Sequence, residues 1–433
     1  MSKKIAIYTL GCKVNAYESE AVKKQFENNG YVCVDFDEFA DVYIINTCTV
    51  THLGDRKSRQ MIRRTKQINP DAILVVMGCY AQVAPSDIEK ISEVDIIIGT
   101  DKKSHVYDAV AEFLKNKKKL NFICDISDKH DFEELEVTSY EGRTRAFLKV
   151  QDGCNNFCSY CIIPYARGRI RSRSLENSLK EARRLAEHGF SEIVLVGIHL
   201  ASYGKDTGES LLDLLSGLND IDGISRIRMG SLEPTLFDDE FTKKISQLPK
   251  ICRHFHLSLQ SGCDETLKRM NRKYKTADYR ASVERIRNAF PDSAVTTDVM
   301  VGFPGETEEE FEKTFNFLEE ISFAETHVFK YSVRRGTVAE KMENQIPSEI
   351  KEIRSKRLID LTQKTKNDFL NSHIGKTVEV LFEREHKEIS GLYEGKTDNY
   401  ITVIAKSEKD ISGEIKTVKL SSEKNGIAVG EIV

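Results

Sequence analysis

Ten cysteines are the residues most able to do chemistry in this chain of 433 residues. Three stand together in Cys154-Asn-Asn-Phe-Cys158-Ser-Tyr-Cys161, a C-x3-C-x2-C run that follows the apolar segment 146–151 and Asp152-Gly153. Three thiolates on one short loop can hold three irons of a four-iron cubane and leave the fourth iron open for a ligand. The competing reading is structural zinc. Zinc prefers four protein ligands with paired C-x2-C spacing, and no fourth ligand stands nearby in sequence. Three further cysteines each close a strand-like segment: Cys12 in Leu10-Gly-Cys-Lys-Val-Asn, Cys48 in Ile45-Asn-Thr-Cys-Thr-Val and Cys79 in Met77-Gly-Cys-Tyr-Ala-Gln. The carboxyl ends of parallel strands converge on one crevice. These thiols can therefore meet and hold a second cluster; the alternative is three buried small hydrophobes. Cys33, Cys124, Cys252 and Cys263 show no such pattern and are expected to be non-ligands.

Such an arrangement needs a parallel sheet beneath it. Segments 5–10, 42–46, 73–77 and 96–98 read as buried strands, with charged helical stretches at 18–28 and 56–67 between them. A polar stretch at 127–140 reads as a linker. A second α/β rhythm follows, with strands at 146–151, 193–196, 256–259, 294–300 and 327–331, and helices at 175–188 and 277–288. A partial βα barrel fits this rhythm. After a long charged helix at 348–369, segments 377–382, 391–393, 400–405 and 414–420 alternate apolar and polar residues, as in a small antiparallel β-barrel. The expected fold class is thus α/β multidomain, divided at 1–138, 139–370 and 371–433.

Lys plus Arg number 64 and Asp plus Glu 68, for a net charge of −4, so a nucleic acid must be met by a local basic patch. No apolar run approaches the roughly 18 residues of a membrane span. The N-terminus enters a strand-like pattern without a signal-peptide core. No membrane partner and a cytoplasmic location are expected. In a reducing compartment, clustered cysteines favour metal ligands over disulfides.

The Cys154–Cys161 run, with Tyr160 before its third cysteine, resembles the signature of the radical S-adenosylmethionine (SAM) superfamily. That resemblance implies SAM bound at the open iron and cleaved to methionine and a 5′-deoxyadenosyl radical. Together with Cys12, Cys48 and Cys79, the chain resembles the methylthiotransferases over nearly its whole length. Three branches of that family act on isopentenyl-adenosine in tRNA, on an aspartate of a ribosomal protein, and on threonylcarbamoyl-adenosine at tRNA position 37. Lys13-Val14, where the isopentenyl branch typically has Gln-Met and the ribosomal branch Pro-Lys, resembles the third, as does the run 150–168.

The resemblance implies two [4Fe-4S] clusters and SAM as cofactors. Cys154, Cys158 and Cys161 would serve radical generation, and Cys12, Cys48 and Cys79 sulfur donation. It implies a methylthio group added to C2 of the adenine of tRNA, a flavodoxin-like or equivalent electron donor, an unidentified sulfur source, and a C-terminal TRAM barrel that binds RNA. SAM contacts are expected at the ends of barrel strands: Tyr160, Gly197, Ser231, Glu233, Gln260, Asp298 and Gly302, with Gly302-Phe-Pro-Gly equally readable as a tight turn. Tyr331 and Arg334 could face the substrate. Arg167, Arg169, Arg171 and Arg173 could bind RNA phosphates, or pair with acids; the six cations of 56–66 could do the same. Residues 371–433 carry nine Lys plus Arg against eleven Asp plus Glu, so RNA contact there must use one face. Methylthiolation of a ribosomal-protein aspartate or of isopentenyl-adenosine, and a non-catalytic iron–sulfur RNA sensor, are the rival readings.

Overall fold

The computed structural model describes residues 2–49, 52–127, 131–137, 140 and 142–433, with no account of the side chains of 52 and 53. The first sheet holds six parallel strands: β1 (Lys4–Thr9), β2 (Val32–Val34), β3 (Val42–Thr47), β4 (Ile73–Gly78), β5 (Ile96–Ile98) and β6 (Leu120–Asn121), in the order β2-β1-β3-β4-β5-β6. β3 and β4 are buried along their whole length, which explains their unbroken apolar sequence: helices cover both faces. The proposed boundary at 138/139 lies outside the described residues.

β7 (Arg145–Lys149) enters the second unit and is followed by the short hairpin β8 (Gln151–Asp152) and β9 (Arg171–Ser172). β10 (Glu192–Val196) pairs in parallel with β7 and with β11 (Arg226–Met229). β12 (His254–His256), β13 (Ala294–Val301) and β14 (Glu325–Lys330) form a second parallel set. Bridges Ile227↔Ile251 and Leu232↔Leu257 join the two, giving six strands of an open barrel. Its outer face packs on helices in the largest apolar core of the chain.

Five strands, β15 (Thr377–Glu385), β16 (Leu392–Thr397), β17 (Thr402–Lys406), β18 (Ile415–Lys424) and β19 (Ile427–Ile432), close the C-terminal barrel. Its pairing is antiparallel except between β17 and β19, which run parallel. This barrel is fixed to the floor of the larger one. Arg226 donates to the carbonyls of Glu379 and Lys396, and Arg228 to those of Thr397 and Asp398. Tyr400 stacks on His254 at 4.7 Å.

Five strands escape the sequence pattern; β2, β6 and β9 do so because they hold only two or three residues. β11 reads Arg-Ile-Arg-Met because Arg226 and Arg228 face inward to Glu192 and the C-terminal barrel. β19 contains glycine at Gly430, where a Cβ would crowd β18.

Candidate active site

The C-x3-C-x2-C loop leaves the hairpin β8–β9 under close steric control. Gly153 has φ +72°, and a Cβ there would overlap the Arg169 carbonyl, so only glycine fits. Cys154 N–H donates to the Gly168 carbonyl at 3.0 Å and Cys161 N–H to that of Cys158 at 2.9 Å. The loop is tied to the far side of the barrel by Ser159 N–H on the Met270 carbonyl. Burial pushes the Cys154 thiol up to about 11 and the Cys161 thiol up to about 12, each with its neighbouring cysteines adding to the rise.

A polar cradle adjoins these thiols. Glu233 accepts from Asn156 Nδ2 at 2.9 Å and pairs with Arg272 at 3.1 Å and His199 at 3.2 Å. Arg272 Nη1 also reaches Cys158 Sγ at 3.4 Å. His199 is held from behind by Ser202 Oγ at 2.6 Å and by its own N–H on Gln151 Oε1 at 2.7 Å. Burial works against the Glu233 carboxylate, but His199 and Arg272 outweigh it and hold the group ionised. The cradle offers a carboxylate, a guanidinium, an imidazole and an amide, groups able to grip an amino acid such as the methionyl part of SAM.

The expected SAM contacts divide. Glu233 is central, and Gly197 lies against Gln151, where a Cβ would stand 3.0 Å from that side chain. Tyr160 packs edge-on to Phe303 beneath the loop, ring centroids 6.4 Å apart. Gln260 has φ +71° and bridges to β13, and Asp298 pairs with His256 at 3.3 Å. Ser231 is exposed and outside the network. Gly302 turns its N–H to Glu306 Oε2 at 2.9 Å, and its α-carbon faces Lys351, so it serves a turn beside the helix Ser348–Asn371. Asn156, His199 and Arg272 were not singled out in the sequence. His199 could have been, two residues past Gly197 at a strand end; Arg272, in a loop after a short helix, carries no local signal.

The other three cysteines sit where parallel-strand geometry puts them, after the neighbouring strands β1, β3 and β4. Gly11, at φ +102°, lets the chain press on Cys48: a Cβ would stand 2.9 Å from both Cβ and Sγ of that residue. Burial pushes the Cys79 thiol up to about 11, and Cys12 and Cys48 add to it, so both lie in electrostatic reach of Cys79. Asn15 pins the crevice by donating to the carbonyls of Leu10 at 2.7 Å and Thr47 at 3.0 Å.

Both triads suit a cationic group. Buried thiols stay protonated unless positive charge stabilises the thiolate, which metal coordination does. Among the described residues no three Cys, His, Asp or Glu side chains converge on one ion-sized point. A cubane, whose thiolates sit on different irons, needs no such convergence.

Between the triads lies a buried ionic knot. Arg167, fully buried, donates to Glu18 Oε1 at 2.8 Å, to Asp152 at 3.1 and 3.2 Å and to Asn15 Oδ1 at 2.6 Å. Lys149 bridges the same two carboxylates at 2.8 and 2.6 Å, and Lys103 reaches Glu18 at 3.3 Å. Burial opposes the Glu18 carboxylate, yet Arg167, Lys103 and Lys149 overcome that and hold it far below the usual range. Arg171 approaches Asp152 at 3.7 Å, and Arg173 is bound to Glu134 and Glu181. This corrects the expected phosphate patch. Arg167, Arg171 and Arg173 are buried and paired, out of reach of RNA, and only Arg169 is exposed, stacked over Phe157 at 4.7 Å beside exposed Tyr165.

Tyr331 is buried against Phe303, 5.4 Å between ring centroids. Arg334 pairs with Asp55 at 2.7 Å and binds Thr49. A cleft of about 740 Å³ opens beyond it, lined by Arg59, Tyr80, Tyr165 and Arg335 among others. It shares Arg59 with a groove of about 650 Å³ along the helix His52–Ile68, lined by Arg56, Arg63 and Arg64. No helix among the described residues is long and apolar enough to cross a membrane.

Comparison with known proteins places these features. Residues 148–318 match the radical SAM superfamily, and residues 4–99 the uncharacterized protein family UPF0004. Threonylcarbamoyladenosine tRNA methylthiotransferase MtaB of Bacillus subtilis is 43% identical over 420 residues, 96% of this chain and 93% of that protein. The tRNA-2-methylthio-N(6)-dimethylallyladenosine synthase of Acetivibrio thermocellus is 36% identical, over 100% of this chain and 91% of its own length. Among solved structures, the radical SAM methyltransferase TsrM from Kitasatospora setae shares the fold, at TM-score 0.56 and 16% identity over 76% of this chain and 75% of that one.

Proposed function

The chain belongs to the radical SAM methylthiotransferases, and we propose that its substrate is N6-threonylcarbamoyl-adenosine at position 37 of tRNA, methylthiolated at C2. The observation that carries this reading is the pair of cysteine triads held on either side of one buried ionic knot, in a chain 43% identical to a protein named for that substrate. Cys154, Cys158 and Cys161 would hold a [4Fe-4S] cluster, which would supply the electron for SAM cleavage, and Cys12, Cys48 and Cys79 would hold a second, which would supply the sulfur.

The chain's own residues supply position and shielding. Glu233, His199, Asn156 and Arg272 orient SAM's amino and carboxylate groups, with Arg272 also steadying the Cys158 sulfur. The knot of Glu18, Asp152, Arg167 and Lys149 fixes the spacing of the two triads. With Lys103 on Glu18 and Arg171 on Asp152 it gathers four cations around two carboxylates, an excess that favours anionic thiolate-bound groups nearby. Removing hydrogen from an adenine C–H needs a radical rather than an acid–base pair, because an sp2 C–H of this kind is not acidic. RNA is expected to lie along Arg56, Arg59, Arg63 and Arg64 and to stack on Tyr165, with Arg169 on a phosphate.

The test is direct. Anaerobically reconstituted protein is given SAM, dithionite and anticodon stem-loops bearing threonylcarbamoyl-adenosine or isopentenyl-adenosine, and nucleosides are weighed by mass spectrometry. Methylthiolation of the first and not the second supports the reading. The reverse preference overturns the substrate, and absence of 5′-deoxyadenosine from fully loaded protein overturns the chemistry. Iron and sulfide analysis of Cys12→Ala, expected to lose about half its iron, tests the second cluster.

A further inference from the structure

Where the N-terminal sheet meets the barrel, one cation is left over. Lys13 directly follows Cys12 and is exposed, while Val14 beside it is buried against Val194 and Val196 of β10. The Lys13 ammonium lies within electrostatic reach of Arg145, Glu192, Arg228 and Tyr400, which line the floor of the barrel interior. It is therefore open to water yet walled by protein, as a group facing a substrate space would be.

The acids of that floor are already committed. Glu192 is shared by Arg228 at 2.7 Å, Arg226 at 3.8 Å and Arg145 at 4.0 Å. Glu383 is bound to Arg145 at 2.6 Å. Among the described residues the Lys13 ammonium makes no hydrogen bond and no ion pair. An uncompensated ammonium on a wall already rich in guanidinium groups attracts an anion from outside.

We propose that Lys13 is a specificity residue that receives the carboxylate of the substrate nucleoside's N6 substituent. This rests on the substrate reading above and deepens it. Threonylcarbamoyl carries a carboxylate at its threonyl end; dimethylallyl carries no charge. Lys13 follows Cys12 directly at the start of the first helix, so a carboxylate held by its side chain stays within a lysine's length of the backbone that carries the sulfur-donating triad. An uncharged N6 group leaves the ammonium unmatched, which selects against it as well as for the acid.

The experiment measures RNA affinity by fluorescence anisotropy, with cluster-loaded protein and anticodon stem-loops carrying threonylcarbamoyl-adenosine, its methyl ester, or plain adenosine. Wild type is expected to prefer the acid over the ester by roughly 10-fold or more, the scale of one charge-assisted hydrogen bond. Lys13→Gln should level acid and ester while keeping wild-type affinity for plain RNA, and Lys13→Arg should retain the preference. Equal wild-type affinity for acid and ester overturns the proposal without any variant, and is the result expected if Lys13 instead holds SAM's carboxylate. A preference that survives in loaded Lys13→Gln also overturns it. Both results leave the substrate reading intact as long as the threonylcarbamoyl RNA is still methylthiolated; that reading fails only if the RNA is not.

Discussion

Replacing Arg167 by Gln should loosen the joint between the first sheet and the barrel. The guanidinium is fully buried and serves three acceptor groups, Glu18, Asp152 and Asn15. Hydrogen bonds to charged groups contribute about 1.5–3 kcal/mol each, and breaking a buried ion pair typically costs about 3–5 kcal/mol. Here the lower end applies. Lys149 and Lys103 still face Glu18, and Lys149 and Arg171 still face Asp152, so neither carboxylate is stranded. Removing one of four crowded cations also relieves repulsion. About 3 kcal/mol remains, a large share of the roughly 5–15 kcal/mol that holds a folded domain. With a urea slope of about 3 kcal/mol/M, the far-UV transition should fall by about 1 M. Arg169→Gln, at an exposed side chain two residues away, should leave it within about 0.2 M. If Arg167→Gln melts with Arg169→Gln, the knot does not hold the two units together and the reasoning fails.

Arg63→Gln and Arg169→Gln should each weaken RNA binding and lower the salt slope by about 1, whereas Arg173→Gln should leave the slope unchanged; anisotropy titrations across salt concentrations decide. Gly11→Ala should fold but lose the second cluster, because its methyl would press on Cys48 from a backbone at φ +102°; iron per chain should drop to about half, with the SAM-cleaving signal retained in electron paramagnetic resonance. His254 is held well below its ordinary pKa by burial, then by Arg228, His256, Lys13 and Lys396. An unfolded chain takes up a proton below about pH 6.5 that the folded one refuses, so stability is full above that pH and falls by about 1.4 kcal/mol per unit below it. His254→Phe, which keeps the ring against Tyr400, should flatten the pH dependence of the melting temperature between pH 7 and 5.5.

How legible this molecule is from sequence depends on how local each signal is. The strands β3 and β4 announce themselves because both faces are buried, and the cysteines at their ends inherit a position from parallel topology alone. The C-x3-C-x2-C loop is legible because its three cysteines fall within eight residues. Arg167, Arg171 and Arg173 misled because a run of arginines looks the same whether it meets phosphates or buried acids; Glu18 lies 149 residues from Arg167, beyond any local pattern. Arg272 and Glu233 are joined only by the closing of the barrel. β11 was missed because its inward face is charged, which erases the apolar run that marks a buried strand.

The ionic knot also sets an order of events during synthesis. Glu18 and Asn15 belong to the first helix of the chain, yet their cations and donors at 149 and 167 leave the ribosome much later. Until then Glu18 has only Lys103 to balance it, and the crevice around Cys12 and Cys79 lacks the arginine that binds Asn15 and lies in electrostatic reach of Cys79. The first sheet can form early, but its thiol crevice is completed only when the hairpin and loop that carry the other triad arrive. The two cysteine triads of one polypeptide are therefore completed together, joined through Arg167 and its bonds to Glu18 and Asn15.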